Sequence, residues 1–506
     1  MIRILRPIKD TTITDKVIHG ERCTDANVGQ AGTLDLFKLY DETYLPSVTG
    51  SVVELSRLLV AFDYDVLRDG PMPDKATLKL VDVYGGQTTP SNFTIDVWPL
   101  SRSFEEGRGS DVVAFRDLDV ANWLSASNVS PWATAGAAMA DSDYYTGLGV
   151  FSQSFARGDE DLEIDVVAHV SASLVDDVEN HGFRVSFSQA EETDETTWYV
   201  KRFGSAEAYE RHVKPTLMVE WYDYHQDDTG EPLLNSSQSF FMYSPTPNQN
   251  FYSGSLELSG ANCMNLVLAT SKSVAYMTSS WSMSHSASIN HLTHSREYYS
   301  ASFSVDQVDT SDGDDGVYRS EVFVNSFVSP FSDYLSGSTL PREGIPFLAT
   351  WRSLDNTVVY HSRYMQFKPA LGVSHAVHNK NLVLSTANLQ DVYSVSSVGP
   401  ESQKIRVYAQ YASSFASTTM RTGNSMPGSC ILRDLRWRIK EAYTKKEVIP
   451  FGEATRCSYD ADGMWFDLFP QDLFVSVVYQ IDFAIYNEDG SVQYLEDAKF
   501  RFKVIS

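Results

Sequence analysis

Two stretches of the sequence carry side chains of the types that bind metal ions. The run HSASINHLTH contains His285, His291 and His294. On a helix His291 and His294 could share one metal ion, whereas on a strand they point to opposite faces. The surrounding Ser and Asn residues favour a loop, so we interpret these histidines as solvated.

The second stretch, DQVDTSDGDDG, offers the carboxylate oxygens that calcium prefers. Its acidic residues are Asp306, Asp309, Asp312, Asp314 and Asp315. An EF-hand register that begins at Asp312 places Phe323 where a bidentate Glu is required, so this register fails. We interpret the stretch as a solvated hairpin tip, and DADG at Asp460–Gly463 as a turn between two strands.

Motifs of the common catalytic types are absent from the sequence. It contains no H-E-x-x-H, G-x-S-x-G, G-x-x-x-x-G-K-[ST] or G-x-G-x-x-G. Glycoside hydrolysis needs two carboxyl groups at a set separation, and a chain with 66 Asp and Glu residues does not specify such a pair. The aromatic stretch Ser239–Tyr252 could stack on sugars, but we favour a core or interface role. We therefore expect no enzyme activity and no catalytic, cofactor-binding or metal-binding residues.

The composition narrows the remaining classes of function. Of the 506 residues, 42% are hydrophobic and 12% aromatic, enough for several packed domains. Asp and Glu outnumber Lys and Arg by 66 to 40, and the formal charge of −26 disfavours nucleic acid and anionic membranes as partners.

The cysteines and the N-terminus indicate where the chain folds. Cys23, Cys263, Cys430 and Cys457 are widely separated, so we expect buried thiols, although the last two could face each other across a sheet. Charged residues interrupt MIRILRPIKDTTITD, and no apolar run reaches the roughly 18 residues of a membrane span. We expect folding in a reducing cytoplasm, without a signal peptide or membrane insertion.

Alternation of apolar and polar residues with a period of two dominates the chain. It is clearest in FTIDV from Phe93, FRVSF from Phe183, IRVYA from Ile405 and FRFKV from Phe500. This pattern predicts half-buried antiparallel strands, and the Gly, Pro, Asn, Asp and Ser clusters between them are typical of sandwiches and jelly rolls. Only Asp117–Leu124 and Ala206–Val213 are predicted as short helices.

Two boundaries divide the chain into three units. The first follows the strand-like Thr216–Tyr222, where the polar segment DYHQDDTGEPLLNSSQS begins, and the second lies near Pro369–Lys380. The predicted units are residues 1–224, 225–372 and 373–506. The second and third have the size and strand spacing of immunoglobulin-like sandwiches.

Eight segments of the first unit follow one another in an order known from a jelly-roll family. They are DTTITD (Asp10–Asp15), DANVGQAGTLDLF with Asn27 and Gly29, SRLLVAFDYDVL (Ser56–Leu67), ATLKLVDVY (Ala76–Tyr84), DVWPL (Asp96–Leu100), Trp132 with its ATAGA loop, HGFRVSFSQ (His181–Gln189) and KPTLMVEWY (Lys214–Tyr222). On these segments, residues 1–222 resemble the DNRLRE family, which is related to TGF-β-propeptide-like sandwiches often attached to carbohydrate binding. The resemblance implies that the chain opens with a jelly-roll β-sandwich. Together with the two immunoglobulin-like sandwiches expected from size and strand spacing, the predicted fold class is all-β.

For three residues within these segments, residue type and position indicate a structural role. Asn27 and Gly29 suit a loop that needs left-handed backbone angles. Asp63 ends a strand, where its carboxylate can accept backbone N–H bonds in the following turn. We favour these structural roles over ligand binding.

The whole chain resembles structural proteins of tailed phages, whose particles assemble in a reducing cytoplasm and leave by lysis. We therefore predict a non-enzymatic virion component of the neck or collar, the tail or the capsid surface, which contacts other virion proteins and copies of itself. Two alternatives stay open. One is a glycan-binding adhesin, phage-borne or bacterial, whose jelly roll holds a host-surface glycan. The other is a polysaccharide-degrading enzyme.

Overall fold

Antiparallel β-strands form most of the regular structure, so the prediction of an all-β chain is confirmed. The computed structural model describes the chain except residues 42–51, 69, 84–90, 111–118, 231, 247–248, 272–297, 309–315, 325–344, 369–381, 396–401, 412–429, 488 and 496–498. The strands form three groups, which we call the first, second and third units. Within the described residues, no helix is long and apolar enough to cross a membrane.

The first unit has two main sheets, of four and seven strands, with a common apolar core between them, and its described residues also form two two-stranded sheets, β3-β4 and β9-β10. Its strands are β1 (Ile2–Leu5), β2 (Pro7–Thr14), β3 (Val17–Ile18), β4 (Glu21–Arg22), β5 (Thr33–Asp41), β6 (Val52–Phe62), β7 (Lys75–Leu80), β8 (Phe93–Pro99), β9 (Ser125–Ser127), β10 (Ser130–Pro131), β11 (Phe151–Phe155), β12 (Leu162–Asp165), β13 (Phe183–Phe187), β14 (Trp198–Gly204) and β15 (Thr216–Glu220). The smaller sheet has the order β1-β15-β7-β12, and the larger has β11-β8-β13-β6-β5-β14, with β2 also paired to β6. The alternation of β8 places Phe93, Ile95 and Val97 in this core, as predicted.

The strand β13 differs from the half-buried strand that its alternation predicts. All five of its residues are buried, including Arg184 and Ser186. The reason is a second apolar cluster, which contains Trp123, Trp132 and Ala137 and covers the outer face of the larger sheet. Arg184 is accommodated there because it donates to the carbonyl of Ala137 at 2.8 Å and to Ser186 at 3.0 Å.

Neither predicted helix forms as expected. The described part of Asp117–Leu124 has turns and bends, and Ala206–Val213 contains only the 3₁₀ turn Arg211–Val213. Two α-helices among the described residues lie elsewhere, at α1 (Val167–Leu174) and α2 (Gln189–Thr193). Further 3₁₀ turns are Asp65–Leu67, Asp228–Gly230 and Pro470–Asp472.

The second unit has one curled six-stranded sheet of order β16-β21-β20-β19-β22-β23 and a small hairpin. Its strands are β16 (Ser237–Tyr243), β17 (Tyr252–Ser253), β18 (Leu256–Glu257), β19 (Met264–Ser271), β20 (Tyr298–Gln307), β21 (Val317–Phe323), β22 (Ile345–Arg352) and β23 (Val359–Phe367). A bridge between Leu233 and Lys368 brings the start of the first strand to the end of the last. The sheet therefore curls around its own apolar core.

The third unit again packs two sheets on one core, with orders β24-β26-β30-β29 and β25-β33-β31-β27-β28. Its strands are β24 (Leu382–Thr386), β25 (Val392–Ser394), β26 (Gln403–Tyr411), β27 (Leu435–Glu441), β28 (Glu447–Ile449), β29 (Ser458–Asp460), β30 (Gly463–Leu468), β31 (Val477–Tyr486), β32 (Val492–Leu495) and β33 (Arg501–Ile505). The predicted inward residues Ile405, Val407, Phe500 and Phe502 lie in this core. The DADG segment forms the predicted turn between β29 and β30.

Candidate functional site

The two sequence stretches with metal-binding side chains fall largely outside the described residues. His285, His291 and His294 all do, as do Asp309, Asp312, Asp314 and Asp315. Asp306 is described, and its carboxylate accepts from the backbone N–H of Asn262 at 2.7 Å. Among the residues that the structure describes, no group of three or more His, Cys, Asp or Glu side chains could hold a metal ion.

Asn27 has a scaffold role, but not through left-handed backbone angles, because neither Asn27 nor Gly29 has a positive φ. The fully buried amide of Asn27 instead ties three loops together. It donates to the carbonyls of Glu106 at 2.7 Å and Ala121 at 2.8 Å, and it accepts from the N–H groups of Gly29 and Gly109. Gly29 is required for close approach, since an added Cβ would lie 2.1 Å from the Glu106 carbonyl oxygen.

The other singled-out residues are also mainly structural. Asp63 accepts the backbone N–H of Asp65 at 2.9 Å, as predicted for a turn. In the stretch Ser239–Tyr252, Phe240 and Met242 are buried in the core of the second unit, while Tyr243 and Tyr252 are exposed.

The cysteines match the expectation of buried thiols except in one case. Cys23, Cys263 and Cys457 are buried, and burial raises the pKa of Cys457 well above its ordinary value. Cys430 is half-buried, and its thiol lies 3.5 Å from the carbonyl oxygen of Ala409.

Sequence reasoning missed the junction between the first and third units. Ile2 and Ile4 on β1 are only 3% and 4% exposed, and they belong to the apolar core of the third unit. Met218 on the neighbouring β15 packs against the same core, while Leu217 and Val219 face the core of the first unit. At β1 and β15, the small sheet of the first unit therefore has an apolar core on both faces.

An ion pair fixes the edge of this sheet to the third unit. Both Arg3 and Asp472 are about nine-tenths buried, and two hydrogen bonds of 2.7 and 3.1 Å join their side chains. Asp472 also accepts the backbone N–H of Ile4 at 3.1 Å. An edge strand normally leaves such groups unpaired, and here Asp472 of the third unit gives the N–H of Ile4 a partner.

The segment between the first and second units, residues 223–230, pairs with a strand of the third unit. His225 and Asp227 exchange backbone hydrogen bonds of 2.9 and 3.0 Å with Tyr459 on β29. The Tyr459 hydroxyl donates to Asp228 at 2.9 Å, and Arg433 pairs with the same carboxylate at 3.2 Å. This polar segment, which we call the clasp (residues 223–230), is therefore an ordered addition to a sheet.

The clasp also contacts the second unit. Asp227 and Asp228 accept backbone hydrogen bonds from Phe241 and Ser239 of β16. Burial raises the pKa of both carboxyls, and these hydrogen bonds oppose the rise. The ring centres of His225 and Phe241 are 5.5 Å apart. One short segment thus links all three units.

A cleft of about 430 Å³ opens where the three units meet, lined by Asp223, Tyr243, Lys404, Arg456, Trp465 and Asp467 among others. Its cations already face aromatic rings: Lys404 lies 3.8 Å from the centre of Trp465, and Arg456 lies 4.4 Å from that of Tyr224. Asp467 accepts from the Ser402 hydroxyl at 3.0 Å. Of these contacts, the one between Arg456 and Tyr224 joins the clasp to the third unit, whereas the other two lie within the third unit.

Sequence signals for this junction were weak. Ile2 and Ile4 alternate with Arg3, which indicates a strand but not the unit that covers it. The clasp is polar and rich in turn formers, features that usually mark a linker.

A comparison with models of known protein families and with curated proteins found no match to this chain.

Proposed function

We propose that the chain is a non-enzymatic structural component of a tailed-bacteriophage virion, with an N-terminal jelly-roll β-sandwich and two immunoglobulin-like β-sandwiches. Its role is to make contacts that hold neighbouring protein subunits together in the neck, the tail or the capsid surface. The observation that carries this proposal is the junction, where Ile2 and Ile4 lie in the core of the third unit. A protein that transmits force or sets spacing in a particle needs its domains fixed relative to one another, and buried apolar contacts achieve this.

An exposed apolar patch on the second unit supports a role in assembly. It lies around the contact of 3.3 Å between the Tyr360 hydroxyl and the carbonyl of Tyr252. Tyr252, Leu256 and Val359 there are 56%, 68% and 44% exposed. Aromatic and aliphatic side chains grouped on a surface are typical of protein interfaces. We assign this patch the contact with a neighbouring virion protein.

The assignment is tested by complementation. A phage whose gene for this chain carries a nonsense codon is grown in cells that supply either the wild-type chain or the double variant Leu256→Asp, Val359→Asp. Two charges at the centre of an interface are expected to lower the yield of infectious particles by about ten-fold or more.

The matched control is Val129→Asp, which changes an 88% exposed valine of the first unit in the same way. This control should restore the wild-type yield. Equal yields from the wild-type chain and the double variant, with both folded, would remove the patch from the proposal. Full infectivity with no chain supplied at all would contradict the structural role.

A further inference from the structure

The last strand of the second unit, β23, has an open edge. It is nine residues long and pairs with β22 on one side. Past its end, Lys368 forms the bridge to Leu233. Along residues 359–366, no other described residue bonds to the backbone on the opposite side of the strand. Because every second residue of an edge strand points its N–H and C=O away from the sheet, this edge presents a row of free hydrogen-bonding groups.

Several other edge strands of the chain differ from β23 in this respect. In each of them, a side chain from another segment bonds to a backbone group of the strand. These backbone groups are the N–H of Ile4 in β1, of Asp10 in β2, of Glu163 in β12 and of Ser239 and Phe241 in β16, and the carbonyl of Leu384 in β24. A long edge strand without such a bond is a place where another chain can add a strand.

The side chains of β23 restrict the kind of chain that can be added. His361 and Arg363 are exposed, and neither forms an ion pair with another described residue. The strand contains no Asp or Glu, although the formal charge of the whole chain is −26. His361 and Arg363 project from the same face, because side chains alternate along a strand. An added strand with carboxylates on this face would pair with Arg363 and accept from His361.

A second copy of β23 fits this edge less well than an acidic strand does. Two copies paired through the middle of β23 would bring their Arg363 side chains close together, and like charges on neighbouring strands repel. The edge is also continuous with the exposed apolar patch around Tyr252 and Leu256, because Val359 belongs to both. The open edge and the patch therefore form one surface.

We propose that β23 accepts an added strand from a neighbouring virion protein, in the form of an extended segment whose alternate residues are Asp or Glu. Main-chain hydrogen bonds to the edge supply affinity, and the carboxylates facing Arg363 and His361 supply selectivity. This inference rests on the assembly role proposed above and specifies how the neighbour binds.

The test is titration of the full chain with short peptides, followed by amide hydrogen exchange to locate the contact. The probe is a peptide of alternating Val and Glu with both ends capped. One comparison peptide has Lys in place of every Glu. The other keeps Val and Glu but is N-methylated at two adjacent central residues, which removes N–H donors from both of its edges. The Glu peptide should bind saturably and slow exchange in β23, and both comparison peptides should bind at least about ten-fold more weakly.

The diagnostic variant is Arg363→Glu, which reverses the charge at an exposed position of the edge strand. It should weaken binding of the Glu peptide about ten-fold and strengthen binding of the Lys peptide. The matched control is Arg319→Glu, which changes an exposed arginine of the same unit. Its strand, β21, is paired by β16 on one side and by β20 on the other, so this variant should bind both peptides as the wild type does.

No saturable binding of the Glu peptide, or binding without slower exchange in β23, would overturn the inference. Equal binding of the N-methylated peptide would exclude strand addition. A dimer in light scattering, with β23 already protected when no peptide is present, would identify a second copy as the occupant and would also overturn it. Because the titration uses the isolated chain, these results leave the virion role to the composition of purified particles. Absence of the chain from particles would in turn leave the peptide result unchanged.

Discussion

Asp10 is a fully buried carboxyl group in the first unit. Burial raises the pKa of Asp10 to about 7, and the nearby carboxylates of Glu106 and Glu207 add to the rise, while a hydrogen bond from the backbone N–H of Ala206 opposes it. The folded state therefore holds a proton that the unfolded chain releases at an ordinary aspartate pKa. The contribution of this proton to the free energy of unfolding is fully present at acid pH. It is lost as the pH rises to about 7, the pKa of Asp10 in the folded state.

Asp10→Asn should remove this pH dependence, because the amide keeps an acceptor for Ala206 and has no proton to lose. At pH 8 we expect the variant to be more stable than the wild type by on the order of 2–4 kcal/mol. Urea unfolding between pH 4 and pH 8 measures the difference. The exposed Asp177→Asn serves as a control, and parallel pH profiles for wild type and Asp10→Asn would contradict the argument.

Asn27 supports a second prediction for a single residue. Asn27→Ala leaves two carbonyls and two N–H groups without their partner in a buried site, so we expect a loss of roughly 3–5 kcal/mol in the free energy of unfolding. Gly32→Ala is a suitable control, because an added Cβ there meets no atom within 4 Å. A loss below 1 kcal/mol for Asn27→Ala, measured in urea, would show that the loops hold without the amide.

The sequence indicated that Asn27 has a structural role, but it did not indicate which groups its amide contacts. A short amide side chain near glycines suggested a local turn. Its partners, Glu106 and Ala121, lie 79 and 94 residues away in the chain. Local pattern carries no information about contacts of that range.

At the scale of elements, the strands lie where the alternation of apolar and polar residues predicted them, whereas the helices do not lie where they were predicted. Ala206–Val213 has helix-forming residues, but Asp10 binds the N–H of Ala206 and only a 3₁₀ turn follows. Conversely, α1 has the sequence VAHVSASL, whose two valines favour strands, yet it packs His169, Val170 and Ser173 inward. Tertiary contacts outweighed local propensity in both places.

The strand β1 joins the first unit to the third, so a charge on its buried face should weaken this junction. Ile4→Asp places a charge in the core of the third unit and should destabilise the junction by on the order of 3–5 kcal/mol. Ile8→Asp on β2 is the matched control, since Ile8 is 61% exposed. Amide hydrogen exchange should show lost protection in β1 and around the 3₁₀ turn Pro470–Asp472 for Ile4→Asp alone. The same exchange pattern in both variants would mean that β1 does not join the units.

The whole molecule depends on contacts between units that are distant in sequence. Residues 1–224 expressed alone would expose Ile2, Ile4 and Met218 and would leave Arg3 without Asp472. We therefore expect this fragment to unfold at a lower temperature than the same residues in the full chain. Hydrogen exchange followed by mass spectrometry measures how strongly the amides of β1 and β15 are protected in the fragment and in the full chain. Equal protection in both proteins would contradict the shared core.

Turn-rich segments were the basis for predicting three units, whereas no sequence pattern indicated how the groups of strands join. A polar segment such as the clasp is equally compatible with a free linker and with a strand added to a neighbour. The backbone bonds between His225, Asp227 and Tyr459 show that the clasp is added to a neighbouring strand.

Quantitative mass spectrometry of purified particles tests the structural role most directly. The phage that encodes this chain is purified by density gradient, and peptides of the chain are counted relative to those of the major capsid protein. The proposal predicts a fixed copy number per particle, equal to a multiple of the symmetry of the particle region that holds it. A chain that is expressed during infection but absent from purified particles would contradict the proposal.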